Sequence, residues 1–245
     1  MLLLYGRIRL HSNNANSMDI ETRKVQLDQR VNSTARRVGR DASEIRLLAV
    51  SKTRSASTIR SLASLGQTAF GENYLQEAED KIKQLADLEL EWHFIGQLQR
   101  NKTAAVAANF DWVQSIDRFV IAERLATQRP IERKALNACI QVRMSEETGK
   151  GGVKPEDLFH LAGAINALPG IVLRGLMTIP ENTMDLEKQK MAFREMHSLY
   201  NGLKAQYDTV DTLSMGMSGD FELAIADGST MIRVGTALFG PRDNA

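Results

Sequence analysis

Short β-rich runs alternate with amphipathic helical stretches along almost the whole chain, and this alternation restricts the possible folds more than any other feature. Eight runs rich in apolar and β-branched residues, bounded by turn residues, are predicted as strands. They are IRLLAVS, AFGEN, LEWHFIGQ, DWVQSID, LNACIQVRM, IVLRGLMTI, VDTLSMGM and MIRVGTALFG. Because a helical pattern lies between successive runs, the strands are expected to be parallel and joined by right-handed crossovers.

The number and size of these units favour a closed barrel. Eight βα units in about 200 residues match a small (β/α)8 TIM-type barrel, here preceded by an extra N-terminal helix predicted over Glu21–Arg40. An open doubly wound α/β sheet is the alternative, but the GxGxxG phosphate loop of such folds is missing. No linker, repeat or low-complexity segment divides the chain, so we expect one domain over residues 18–245.

The first 17 residues, MLLLYGRIRLHSNNANS, do not conform to this pattern. They combine an apolar start, two arginines and a Ser/Asn run, without any acidic residue. A secretory signal would need a longer apolar segment and a small-residue cleavage site. We therefore expect residues 1–17 to be a disordered extension upstream of a natural start at Met18. An organellar transit signal is the alternative.

Composition argues against several classes of function. The net charge of the 245 residues is +1, so no global field favours nucleic acid or an anionic membrane. A local cluster of Arg30, Arg36, Arg37 and Arg40 is interpreted as a solvated helix face. The single cysteine, Cys139, lies in an apolar run and is expected to be a buried structural thiol.

The remaining signals point to a cytoplasmic protein without a metal. The four histidines lack metal-ligand spacing, and no run approaches the about 18 apolar residues of a membrane span. We expect no metal, nucleic-acid or membrane partner, and a monomer.

Two glycine-containing segments near the C-terminus predict a phosphate site. In a (β/α)8 barrel the functional site lies at the C-terminal ends of the strands, and the loops after strands seven and eight often bind phosphate. Here these loops are GMSGD, with Ser218 before a predicted helix, and GTALFG, which starts at Gly235. Exposed N–H groups and a helix dipole would favour an anion there. The alternative is that Ser218 only caps a helix and Gly235 only forms a turn.

Lys52 directly follows the first predicted strand, where we expect it to face the phosphate site across the barrel mouth. A partly buried lysine can attack a carbonyl as the free amine. An aldehyde that carries a phosphate suggests pyridoxal 5′-phosphate bound as a Schiff base. Arg233 would face the pyridine nitrogen and keep it unprotonated, because two cations repel. From the residues alone, a Schiff-base aldolase acting on a sugar phosphate fits nearly as well.

Six sequence blocks carry a resemblance to a known family. They are LLAVSKT, FGENYLQE, EWHFIGQLQRNK, RGLMTIP, LSMGMSGD and MIRVGTALFG, in this order between Met18 and Asp243. The chain closely resembles the YggS/PROSC family of pyridoxal phosphate homeostasis proteins, whose fold is like the N-terminal barrel of bacterial alanine racemase. Gln97 departs from the proline usual after the glycine of the third block.

The resemblance implies a role for each of seven residues. Lys52 would carry pyridoxal phosphate as an internal aldimine, and Arg233 would stand at the pyridine nitrogen. The positions implied for the phosphate are Ser218, Gly235 and Thr236, and those implied for the ring pocket are Asn73 and Met177. Lys150, in the loop EETGKGGV, is interpreted as a solvated residue, with a secondary aldehyde or phosphate contact as the alternative.

The resemblance leaves open whether the protein turns over a substrate. Alanine racemase uses a second base, a tyrosine from an additional β-rich domain, and this sequence stops after the eighth strand. Only Tyr74 lies near the predicted rim. We therefore expect a non-catalytic carrier that takes part in pyridoxal phosphate homeostasis and delivery to client enzymes. A pyridoxal phosphate-dependent amino-acid racemase is the alternative.

Overall fold

The computed structural model describes residues 15–144, 151–181, 183 and 185–241. Eight parallel strands form a closed barrel in which each strand pairs with its neighbours in sequence and the last pairs with the first. The predicted (β/α)8 barrel is thus confirmed. The strands are β1 Arg46–Val50, β2 Ala69–Glu72, β3 Glu91–Phe94, β4 Trp112–Ile116, β5 Leu136–Gln141, β6 Ile171–Met177, β7 Thr212–Ser214 and β8 Met231–Val234.

Helices surround the barrel and connect its strands. Within the described ranges they are α1 Ala15–Arg37, α2 Ala56–Ala63, α3 Leu75–Gln84, α4 Thr103–Asn109, α5 Phe119–Thr127, α6 Leu158–Asn166, α7 Leu186–Lys204, α8 Phe221–Ala226 and α9 Thr236–Phe239. Single 3-10 turns cover Ala42–Glu44, Arg100–Lys102 and Pro155–Asp157.

The eighth strand is shorter than the sequence predicts. MIRVGTALFG reads as one strand, but β8 ends at Val234 and Thr236–Phe239 form α9. Pairing with β1 reaches only the Ala49–Val234 pair. Beyond that pair no strand ladder satisfies the backbone, and α9 supplies hydrogen bonds of its own. The functional loop therefore begins at Gly235 rather than inside a strand.

The extra N-terminal helix is present, with bounds that differ from those expected. Helix α1 begins three residues before Met18 and packs against α8 and α9. Its basic cluster is only partly solvated. The Arg30 guanidinium lies over the Phe221 ring at 4.6 Å, and Arg40 donates to the Ile225 and Ser229 carbonyls at the end of α8. The part of the expected extension before residue 15 lies outside the described residues.

Two different environments fill the molecule. The apolar core between the strands and the outer helices is continuous and includes Phe70, Phe94 and Phe110, all fully buried. Inside the barrel the side chains are mixed. Small apolar clusters such as Leu48 with Met231 alternate there with buried polar groups. The barrel interior is therefore partly polar, unlike the branched aliphatic layers common in this fold.

A bulge in β6 determines which of its residues face inward. The register between β5 and β6 shifts next to Gly175, whose φ is +148°. A Cβ on Gly175 would lie 1.8 Å from the Thr212 carbonyl oxygen, so only glycine fits. Because a bulge adds one residue, side chains three positions apart can share a face. Arg174 and Met177 both approach the interior ring of Trp112 in this way.

Candidate functional site

Lys52 lies at the C-terminal mouth of the barrel. Leu48 and Val50 pack inside the barrel, and strand alternation puts Lys52 next in the same phase. Ser51, between them, is fully buried, and its N–H donates to the Gly71 carbonyl at 3.0 Å. Lys52 itself is half-buried. The structure thus places this lysine at the inner rim, as the sequence predicts.

The backbone turns sharply directly after Lys52. Thr53 has φ +65°, the one left-handed non-glycine conformation among the described residues. A β-branched residue in this region stores about 1–3 kcal/mol of strain. The Thr53 N–H donates to Glu77 Oε1 at 2.6 Å, which holds the strained turn in place. The direction in which Lys52 leaves the strand is therefore determined by a contact with α3.

A buried ionic cluster supports the other side of the same turn. Lys81 Nζ donates to the Ser51 carbonyl at 2.8 Å, to Glu72 Oε1 at 2.8 Å and to Glu77 Oε1 at 2.5 Å. The Ser51 hydroxyl also donates to Glu72 Oε1, at 2.7 Å. We call Glu72, Glu77 and Lys81 the lysine clamp, because they bind the residues on both sides of Lys52.

Burial makes the lysine clamp a costly arrangement. Glu72 is fully buried and Lys81 is 5% exposed. Burial raises the pKa of the Glu72 carboxyl, and the attraction of Lys81 opposes this rise. Glu72 Oε2 has no hydrogen-bond partner in the described part of the chain. Such a cluster depends on each member, since removing one leaves a buried charge unpaired.

The loops after β7 and β8 meet at Ser218. Its hydroxyl accepts from the Ala237 N–H, in the first turn of α9, at 3.2 Å. Gly216, at the start of the first loop, has φ +94° and touches α8 so closely that a Cβ would lie 2.6 Å from the Ala224 Cβ. The loop thus packs tightly against α8 and contacts α9 through Ser218. This joins the two segments from which the sequence predicts a phosphate site.

The phosphate segment lies beside Lys52 and not across the mouth from it. Strands β1 and β8 are hydrogen-bonded neighbours, with Ala49 paired to Val234. Lys52 and Gly235 therefore follow adjacent strand ends. The expectation that they face each other was wrong, because closure of an eight-stranded barrel makes the last strand the neighbour of the first.

Arg233 is buried below this rim, in phase with Met231 on the inner side of β8. It is 4% exposed, and it donates to the Ser214 carbonyl at 2.8 Å, to the Ser214 hydroxyl at 2.9 Å and to the Thr178 carbonyl at 2.7 Å. Burial lowers the pKa of the guanidinium to about 10, against the attraction of Asp220, so it remains a cation at neutral pH. Within the described residues these bonds use three of its five N–H groups.

The other predicted site residues lie at the same end of the barrel. Asn73 follows β2 and is half-buried, and Met177 ends β6 with its side chain fully buried against Trp112 and Cys139. Gly235 is the N-cap of α9, and Thr236 is its exposed first residue. Lys150 lies outside the described residues.

A cavity of about 300 Å³ opens at this mouth, next to Asn73. Its wall includes Ser115 at the end of β4 and Gln141 at the end of β5. The Asn73 Oδ1 and Ser115 Oγ atoms are buried without a hydrogen-bond partner among the described residues. Unpaired buried polar atoms are costly, so their presence at a mouth indicates a place for a polar ligand.

Sequence reasoning missed the lysine clamp. The signal was present, because Glu77 and Lys81 stand four residues apart on α3 and Glu72 belongs to the GEN segment. An i,i+4 pair on a helix is, however, usually a solvated surface pair. Only the packing of α3 against the barrel shows that Lys81 points to the strand ends.

The described residues also bear on expected absences. They contain no cluster of His, Cys, Asp and Glu side chains arranged to hold a metal ion. None of their helices has the length and apolar character that crossing a bilayer requires. Cys139 is fully buried, as expected, and burial raises the pKa of its thiol.

The family described as alanine racemase, N-terminal domain, matches residues 25–243 of this chain. The pyridoxal phosphate homeostasis protein of Pasteurella multocida is 49% identical over 230 residues, covering 92% of this chain and 99% of that protein. The structure of PipY from Synechococcus elongatus with PLP bound is 35% identical, with a TM-score of 0.78, over 90% of this chain and 100% of that one.

An alanine racemase of Corynebacterium glutamicum shares the fold, with a TM-score of 0.63 and 19% identity. The match covers 91% of this chain and 62% of the racemase. Together with the family match over nearly all of the barrel, the identity to the homeostasis protein establishes the relationship. This chain belongs to the alanine racemase N-terminal domain family and, within it, to the pyridoxal phosphate homeostasis proteins.

Proposed function

We propose that this protein binds pyridoxal 5′-phosphate as a Schiff base on Lys52 and takes part in the homeostasis and delivery of this cofactor. The observation that carries the proposal is the convergence of three chemically different groups at adjacent strand ends. These are the amine of Lys52, the joined loops at Ser218 and Ala237, and the buried guanidinium of Arg233.

These groups fit the parts of the cofactor. Ser218, with the neighbouring backbone of Gly235 and Thr236, would hold the phosphate. Arg233 has N–H groups left for the ring nitrogen, and Asn73 has a buried oxygen without a partner. Met177 would form part of the floor beneath the ring. The bound cofactor would supply a reactive aldehyde, which can bond reversibly to an amine.

The relatives support the same proposal. The Pasteurella multocida relative is named a pyridoxal phosphate homeostasis protein, and the PipY structure contains PLP. Both similarities extend over at least nine-tenths of this chain.

We propose further that the protein holds the cofactor without turnover. Arg233 remains a cation at neutral pH. A cation at the ring nitrogen opposes its protonation, which weakens the ring as an electron sink for carbanion chemistry. Tyr74, the tyrosine nearest the rim, is 59% exposed and precedes α3. Its side chain is mostly open to solvent, which does not favour a firmly positioned second catalytic base.

The first test is chemical trapping of the proposed bond. Purified protein incubated with pyridoxal 5′-phosphate should become yellow, and borohydride followed by peptide mapping should place the label on Lys52. Lys52→Ala should lose both the colour and the label. Lys154→Ala, which removes a lysine with a 57% exposed side chain, is the matched control and should keep both. A colourless wild type, or a label on another lysine, would refute the proposal.

A second test separates a carrier from a racemase. The loaded protein is incubated with a set of L-amino acids, and the enantiomers are resolved by chiral chromatography. A carrier leaves every L-amino acid unchanged. Formation of a D-amino acid that depends on Lys52 would establish the racemase instead.

The remaining expectations are part of the same proposal. We propose one domain that starts naturally at Met18, a cytoplasmic monomer and transfer of the cofactor to client enzymes. Mass spectrometry of the native N-terminus and light scattering of the purified protein test the start site and the monomer. Recovery of activity by an apo client enzyme mixed with the loaded protein tests the transfer. A client that recovers no faster than with Lys52→Ala would contradict it.

A further inference from the structure

A chain of hydrogen bonds crosses the barrel interior and ends on Arg233. Its members come from five strands. Each member bonds directly to the next, with no further residue of the described structure between them. In order from the mouth they are Arg233 on β8, Ser214 on β7, Gln114 on β4, His93 and Glu91 on β3, and Arg46 on β1. We call these six residues the interior chain.

Burial makes the middle of the interior chain sensitive to geometry. Ser214, Gln114 and His93 are fully buried. The bonds measure 2.7 Å from Ser214 Oγ to Gln114 Oε1 and 2.9 Å from Gln114 Nε2 to His93 Nδ1. In such a setting each polar group needs its partner, because an unsatisfied one retains the full cost of desolvation.

The donors and acceptors allow only one direction along the interior chain. A guanidinium can only donate, so Ser214 Oγ accepts from Arg233 and its hydroxyl donates to Gln114 Oε1. The amide nitrogen of Gln114 must then donate to His93 Nδ1. This requires neutral His93 with its proton on Nε2, which donates to Glu91 Oε1.

The far end of the interior chain is consistent with that tautomer. Burial lowers the pKa of His93, which favours the neutral ring although Glu91 opposes this effect. Glu91 also accepts from Arg46 at 2.7 Å, and this pair lies at the N-terminal end of the barrel. Glu91, at the opposite end of the barrel, thus accepts from the His93 Nε2–H and completes the series of donors and acceptors.

We propose that Ser214, Gln114 and His93 are positioning residues that aim the guanidinium of Arg233 at an aromatic ring nitrogen and so make the site selective for a pyridine ring. This inference rests on the proposed binding of pyridoxal 5′-phosphate. Two backbone carbonyls locate Arg233, but only the Ser214 hydroxyl connects it to other side chains. Without that link the guanidinium keeps its two bonds to backbone carbonyls but loses the third, so its remaining N–H groups are held less firmly toward the ring.

The test compares two ligands that differ at one atom. One is pyridoxal 5′-phosphate, and the other is its analogue with CH in place of the ring nitrogen. Wild-type protein should prefer the first. Ser214→Ala should bind pyridoxal 5′-phosphate about ten- to a hundredfold more weakly, as loss of one oriented charge-assisted bond predicts. Its affinity for the analogue should stay unchanged.

Matched variants distinguish a role of Ser214 in orienting Arg233 from a role in packing the barrel interior. Met231→Leu replaces the sulfur that the Gln114 amide also contacts, at 3.2 Å, with an apolar side chain of similar size, and should keep the wild-type selectivity. Ser214→Thr keeps a hydroxyl at the same position and should restore the preference lost in Ser214→Ala. Equal weakening of both ligands in Ser214→Ala would show a merely structural role and overturn the inference.

A measurement on the wild type covers the case in which the variants do not fold. Nitrogen-15 NMR of the His93 ring should show the neutral Nε2–H tautomer, with an Nδ1 resonance that shifts when pyridoxal 5′-phosphate binds. A protonated ring, or the Nδ1–H tautomer, would overturn the inference. If the wild type binds neither ligand, the proposed function itself has failed, and the inference fails with it. If it binds both and only the selectivity effect is missing, the inference alone has failed.

Discussion

At the scale of single residues, the site depends on side chains that support Lys52 rather than on Lys52 alone. The lysine stands on a turn whose two neighbours are bound by the lysine clamp, through the Ser51 carbonyl and the Thr53 N–H. A lysine on a flexible loop would lose orientational entropy each time it reacts with an aldehyde. The clamp restricts that freedom before the ligand arrives.

Loss of the central cation should damage the apo protein strongly. Lys81→Met leaves Glu72 buried without its partner, and we expect a loss of about 3–5 kcal/mol in the free energy of unfolding. Adding Glu72→Gln should recover part of this loss, because the unpaired charge is gone. Urea denaturation measures both. Lys83→Met, at an exposed position of the same helix, is the control and should change little. A small effect of Lys81→Met would mean that the clamp is not held as described.

The strained turn gives a prediction of opposite sign. Thr53→Gly removes the penalty of a left-handed β-branched residue but adds freedom to the unfolded chain. The first effect is larger, so we expect a gain of about 1 kcal/mol in the free energy of unfolding. Thr58→Gly, inside helix α2, should instead lose about 0.3–0.5 kcal/mol. Destabilisation by Thr53→Gly would show that the side chain of Thr53 makes a contribution greater than the strain.

At the scale of elements, the site is made by pairs of loops and not by single motifs. The β7–α8 loop reaches α9 through Ser218, and α3 reaches the end of β1 through Lys81. Each contact joins segments that are far apart in sequence. The interior chain does the same within the barrel, linking strands at opposite positions of the ring.

The contact between the two loops predicts selective loss of phosphate binding. Ser218→Ala should weaken binding of pyridoxal 5′-phosphate by roughly ten- to a hundredfold, the loss of one hydrogen bond to a charged group. Binding of pyridoxal, which lacks the phosphate, should not change. Gly219→Ala is a control for the stability of the β7–α8 loop without ligand, since a Cβ there meets nothing within 4 Å. Equal effects of Ser218→Ala on both ligands would contradict a phosphate contact.

At the scale of the whole molecule, the polar barrel interior makes stability depend on pH. Burial lowers the pKa of His93, which faces Glu91, Arg46 and Asp111. The unfolded chain therefore binds a proton as pH falls below about 6.5, while the folded chain resists it. The stabilisation is present above that pH, and its loss should approach about 1 kcal/mol per pH unit below it.

Urea denaturation at pH 7.5, 6.5 and 5.5 measures this dependence. His93→Gln should flatten it, because glutamine does not titrate, whereas His160→Gln at an exposed position should leave it as in the wild type. Glu91 adds a second dependence at lower pH. Burial would raise the pKa of Glu91, but the His93 bond and the Arg46 charge outweigh it and lower the pKa to about 2. The stabilisation from Glu91 is thus fully present above its ordinary pKa of 4.5 and is lost as pH falls from there through about 2. An unchanged slope in His93→Gln would contradict a neutral buried histidine.

The sequence by itself determined the barrel, the order of its elements and the C-terminal rim as the place of Lys52, Ser218, Arg233 and Gly235. These follow from local periodicity, from the rule that parallel strands need crossovers, and from short motifs at strand ends. Each of these signals is contained in a few consecutive residues.

Only the tertiary structure decided which charged residues are buried and in which register the first and last strands pair. Lys81 could not be distinguished from a solvated helix lysine, and Gln114 and His93 could not be distinguished from outward-facing residues of a strand buried on both faces. Closure of β8 onto β1 placed Lys52 beside the phosphate segment. The reason is physical: burial and pairing arise from contacts between segments distant in sequence, and no local pattern records them.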